Sequence, residues 1–114
     1  MNDYFLNLVK ETSERNWSAD RCDPIPLCRW QGAWDFYIEI LKIVPENKIR
    51  ISPCSDGLIH FNIVVNHLRF VIEYDINTVF IQFDYSVEER VFIESEIPLG
   101  LALKLLNSWW AVYK

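Results

Sequence analysis

The chain has 114 residues and a formal net charge of −5; 51% of it is hydrophobic and three residues are glycine. A disordered chain carries far fewer large apolar residues. Collagen-like and low-complexity chains need Gly and Pro contents that are absent here. The length suits a single domain, 1–114, large enough to bury roughly two thirds of the surface of its unfolded chain without a disulfide or a metal.

The chain opens with a predicted helix over Asn2–Arg15. Tyr4, Phe5, Leu8 and Val9 recur at helical spacing, Lys10, Glu11, Glu14 and Arg15 make the other side polar, and Asn2 or Asp3 is placed to cap the start. Trp17–Trp30, with Pro24 and Pro26, reads as a loop anchored by Ile25, Leu27 and Trp30. Ala33–Val44 carries two patterns. Asp35, Glu39 and Lys42 fit a helical polar stripe, whereas Trp34, Phe36, Ile38 and Ile40 alternate as on a strand. Its aromatic and β-branched content favours a strand. Pro45, Glu46 and Asn47 would then form a hairpin loop leading to a return strand with Ile49 and Ile51.

The middle is more regular. After a turn at Ser55-Asp56-Gly57, Ile59, Phe61, Ile63 and Val65 alternate with Leu58, His60, Asn62 and Val64. Asn66-His67 makes a two-residue turn, since Asn tolerates positive φ. That turn sets Val65 opposite Leu68, and then pairs Ile63 with Phe70, Phe61 with Ile72 and Ile59 with Tyr74, all apolar and all on one face. Turns at Asp75-Ile76-Asn77 and Ser86–Glu89 bracket a strand with Val79, Ile81, Phe83 and Tyr85; Val91 and Ile93 follow. Pro98 opens a helix reaching about Tyr113. The predicted fold is α+β: an N-terminal helix, an antiparallel meander of about five to six strands, and a C-terminal helix packed on one sheet face.

The closing helix would lay Leu99, Ala102, Leu103, Leu106, Trp110 and Tyr113 on the apolar sheet face. Leu101, Leu105, Trp109 and Val112 make its flank apolar too. The first helix and the Trp17–Trp30 loop could cover that flank, or it could be a dimer or partner surface. The second sheet face places His60 opposite Glu73, Val64 opposite Arg69 and Asn62 opposite Val71. Farther along it carries Phe80, Gln82, Asp84, Phe92, Glu94 and Glu96. Glu73, Asp84, Glu94 and Glu96 supply charge there, with Phe80 and Phe92 as apolar anchors, a combination that suits either a plain solvated sheet face or one that binds a basic protein.

Signatures of chemistry are sparse. Three glycines cannot build a phosphate-binding loop, and there is no G-x-S-x-G nucleophile motif. Cys22, Cys28 and Cys54 are an odd number without close metal-ligand spacing, so neither a disulfide framework nor zinc is expected. His60 beside Glu73 reads as a cross-strand ion pair rather than an acid–base pair. The acidic balance disfavours nucleic acid. The absence of a basic–apolar leader and of a long apolar run suggests a cytoplasmic protein with no membrane span.

In size, acidity and short α+β architecture rich in Trp, Phe and Tyr, the chain resembles small bacterial toxin-immunity proteins of contact-dependent inhibition systems. The resemblance implies a non-catalytic inhibitor without cofactor that binds a basic toxin domain, such as a nuclease, and blocks its active site. The alternatives are a homodimeric chaperone or adaptor acting through the closing helix, and a small enzyme or ligand-binding domain with a pocket between sheet and helix.

Overall fold

A computed structural model describes residues 1–18, 22–86 and 88–114, without the Glu94 side chain. Helix α1 spans Asp3–Glu11, shorter than expected from the sequence. The Asn2 side chain caps it, its Oδ1 accepting from the Phe5 N–H at 3.0 Å. Thr12 ends it, and its hydroxyl donates back to the Leu8 carbonyl at 2.8 Å. The same hydroxyl accepts from the Trp30 indole N–H at 2.8 Å, so the buried end of α1 is tied to the next helix.

That next helix corrects the sequence reading. Leu27–Leu41 is α2, where Ala33–Val44 was expected to be a strand and Leu27 and Trp30 were expected in a loop. Its buried positions, Trp30, Ala33, Phe36, Tyr37 and Ile40, follow helical spacing. Ile38, which the strand pattern would bury, is exposed. The polar stripe of Asp35, Glu39 and Lys42 was therefore the informative signal, and tertiary packing overrode β propensity. The expected hairpin loop is instead a 3₁₀ turn at Glu46–Lys48, leading from helix to sheet.

Five strands follow: β1 (Ile49–Pro53), β2 (Ile59–Val65), β3 (Leu68–Asp75), β4 (Thr78–Asp84) and β5 (Arg90–Pro98). They form an antiparallel meander in sequential order. The β2–β3 register is the one derived from the Asn66-His67 turn, from Ile59 opposite Tyr74 to Val65 opposite Leu68. Asn66 takes φ 55° there, as the turn requires. Pairing of β4 with β5 shifts between Val79 and Ile81, where a bulge bends the edge strand. The expected turn at Ser86–Glu89 lies partly outside the described residues. Pro98 sits just before α3 (Leu99–Tyr113) and caps it rather than occupying its first turn.

The helices cover the sheet face that carries Ile59, Phe61, Ile63, Ile72, Tyr74 and Val79, all fully buried. Two aromatic clusters organise this layer. Phe36 and Tyr37 of α2 pack on Phe61 of β2 with ring centroids 5.6 and 6.3 Å apart, and Phe5 of α1 lies tilted against Tyr37 at 5.1 Å. Trp109 of α3 packs on Phe70 of β3 at 5.5 Å, and Phe70 stacks on Phe83 of β4 at 5.3 Å. Trp109, placed on the flank by the sequence pattern, therefore faces the core, with Ala102 and Leu106. Trp110 is only partly buried. Helix α3 also packs against α2, which leaves Leu101 and Val112 as its exposed large apolar residues. No helix among the described residues is long and apolar enough to cross a membrane.

Candidate functional site

Among the described residues no helix covers the second face of the sheet, and strand alternation decides what it displays. Antiparallel pairing aligns Arg50 of β1, Asn62 of β2, Val71 of β3, Gln82 of β4 and Phe92 of β5 in one row across it. A second row contains Ser52, His60, Glu73 and Phe80. Val71 is buried within the face, while Phe92 at its edge is 62% exposed, so most of that ring meets water. A large aromatic held this open on an edge strand is the kind of anchor that binding surfaces use.

Charge is not spread evenly over this face. The sequence reading expected an acidic surface, but the register sorts charge to two ends. One end holds Glu73, with Glu96 on the late part of β5. His60 Nε2 lies 3.8 Å from Glu73 Oε1, and Thr78 donates its hydroxyl to Glu96 Oε2 at 2.9 Å. Glu94 belongs to the same strand, and its side chain lies outside the described residues. Phe80 is half-buried beside Glu73. The opposite end is basic along β1–β3, while Glu88 and Glu89 line a smaller concavity with Arg90 and Phe92 at its β5 side. Lys48, Arg50 and Arg69 border a concavity of about 680 Å³ that no carboxylate lines.

Asp84 separates from the other acids of the expected rim. It is only 7% exposed. Its Oδ1 accepts from Arg90 Nε at 2.6 Å, and its Oδ2 accepts from the Arg69 backbone N–H at 3.0 Å. Its carbonyl accepts from the Trp109 indole N–H at 2.7 Å, and the Tyr113 hydroxyl donates to the neighbouring Tyr85 carbonyl at 2.7 Å. Burial pushes the Asp84 carboxyl up, but the hydrogen bonds and positive charge of Arg90 and Arg69 outweigh it and hold the group below its ordinary value of 3.8. Asp84 is thus a clamp joining β3, β4, β5 and α3, with no free charge to offer a partner.

The cysteines stand apart: Cys22 is buried, Cys28 exposed and Cys54 half-buried, all with free thiols. Burial pushes the Cys54 thiol up, away from the reactive thiolate. Among the described residues no three His, Cys, Asp or Glu side chains converge as a metal site would require.

Comparisons with protein-family models, with curated proteins and with solved structures found no match.

Proposed function

We propose that this protein is a non-catalytic, cytoplasmic inhibitor of the immunity type, which docks the acidic end of its open sheet face onto a basic toxin domain. One observation carries the reading: Phe92 stands exposed on an edge strand whose far end carries glutamate, on the sheet face that no helix covers. Phe92 would be the anchor, Phe80 its half-buried neighbour, and Glu73, Glu94 and Glu96 the complementary rim. Asp84 supports the scaffold behind them. Rim charge of this sign accelerates encounter with a basic cleft, and a central aromatic slows release.

The test takes as partner a basic toxin-like domain sought among the genes adjacent to this protein's own, and the absence of one there contradicts the reading. The wild-type protein should form an equimolar complex with it and suppress its activity. Phe92→Ala combined with Glu96→Lys should weaken the complex by about a hundredfold and relieve the suppression while leaving the fold intact. A folded wild-type protein that neither binds nor suppresses that domain contradicts the reading. The exposed apolar residues Leu101 and Val112 on α3 are too few to favour the alternative of a homodimer built on that helix.

A further inference from the structure

At the basic end of the open face, Lys48, Arg50 and Arg69 converge on one concavity of about 680 Å³. This is notable in a chain with 16 acidic residues against 11 basic ones. None of those acids among the described residues lines the concavity. Lys48 and Arg50 have no ion-pair partner among the described residues. Arg69 Nε approaches Asp84 only at 4.0 Å, and that carboxylate is held by Arg90 at 2.6 Å. An anion placed in the concavity would therefore gain a charge pairing that the described residues do not give Lys48 and Arg50.

The lining is more specific than a basic patch. Asn47, Asn62 and Asn66 add side-chain amides, each able to donate and accept. Val64, exposed between Asn62 and Asn66, supplies an apolar surface. The volume falls in the range of small-molecule sites, roughly 300–1,000 Å³. Two guanidiniums suit the bidentate recognition of phosphate oxygens, and a phosphate group brings roughly two negative charges. A lone carboxylate would leave cations unmatched.

We propose that this concavity binds a small organic phosphate of mononucleotide size. Arg50, Arg69 and Lys48 hold the phosphate, and Val64 and the three asparagines receive the organic part. The site lies at the opposite end of the face from Glu73 and Glu96, and it does not depend on the inhibitor reading.

Isothermal titration of the full chain with ADP, inorganic pyrophosphate and adenosine tests it. ADP should saturate with a Kd below about 1 mM, pyrophosphate should bind about tenfold more weakly, and adenosine should not saturate. Arg50→Gln with Arg69→Gln should weaken ADP binding at least about tenfold, and Asn62→Asp, which places a carboxylate among the cations, should do the same. Lys104→Gln, on α3, should leave it unchanged. Thermal unfolding of each variant checks that the fold is retained. Absence of saturable ADP binding overturns the proposal, as does equal binding by wild type and the Arg50/Arg69 variant. Pyrophosphate binding as tightly as ADP overturns the assignment of the organic part.

Discussion

The two faces of the sheet differ in kind although they alternate along the same strands. On the covered face, the side chains in register are apolar and buried, from Ile59 and Tyr74 to Ile63 and Phe70. Three helices close over them through interlocked aromatics. On the open face, each row mixes polar, charged and apolar residues, and charge separates into a Glu73/Glu96 end and a Lys48/Arg50/Arg69 end. Burial on one side specifies the register, and that register fixes which residues the other side can display. Stability should therefore reside on the covered face and in one polar clamp, with the rest of the open face contributing little.

The largest effect expected from that division is at Phe61, which is fully buried between Phe36, Tyr37 and Tyr74. Phe61→Ala should cost about 3–5 kcal/mol, measured by urea denaturation.

Asp84 is where the division should break, because it lies on the open face yet holds the fold. Asp84→Asn loses a charge-assisted bond to Arg90 and should cost about 1.5–3 kcal/mol. The carboxyl is depressed in the folded state, so its contribution is complete above the ordinary value of 3.8 and is lost as pH falls through the lower folded value. Acid titration of stability should therefore show a loss in that window for wild type that is reduced in Asp84→Asn.

Gly32 sharpens the covered side of the comparison. A methyl there would fall on the hydroxyl of Tyr74, a buried residue that donates to the Ile76 carbonyl at 3.0 Å. Helix α2 thus approaches β3 at a position without room for a side chain. Gly32→Ala should cost about 1–3 kcal/mol, despite its better helix propensity, and would lower the thermal midpoint.

A smaller effect of opposite sign is expected at Ile76, in the β3–β4 turn. This β-branched residue has φ 34°, a region that L side chains avoid. Ile76→Gly should raise stability by about 1 kcal/mol, because the strain disappears and the side chain is exposed, with little packing to lose. A lower thermal midpoint in this variant would show that the turn is not strained.

Much of the covered face was legible in the sequence because strand alternation and turn chemistry agreed. Asn66-His67 fixed the pairing of Val65 with Leu68, and every later pair followed. The Ala33–Val44 segment was not legible by the same means, since Trp34, Phe36, Ile38 and Ile40 alternate by coincidence on a helix whose buried positions are Trp30, Ala33, Phe36, Tyr37 and Ile40. Alternation of Ile49 and Ile51 gives the parity of β1 but not its pairing with β2, which sets Arg50 beside Asn62 and builds the basic end of the open face. The expected rim of Glu73, Asp84, Glu94 and Glu96 was a statement about strand parity. Parity assigns a face, but it cannot show that Arg90 and the Arg69 N–H engage Asp84, because those contacts depend on how the ends of β3, β4 and β5 meet. The pairing of His60 with Glu73 did follow from the derived register.

The claim that the open face binds while the covered face folds is tested most directly by one paired measurement on Phe92→Ala with Glu96→Lys. Its affinity for the proposed partner, a basic toxin domain, and its urea midpoint would be compared with those of the wild type. The account predicts that affinity falls by about a hundredfold while stability changes by less than about 0.5 kcal/mol. Unchanged affinity in a folded variant would contradict it.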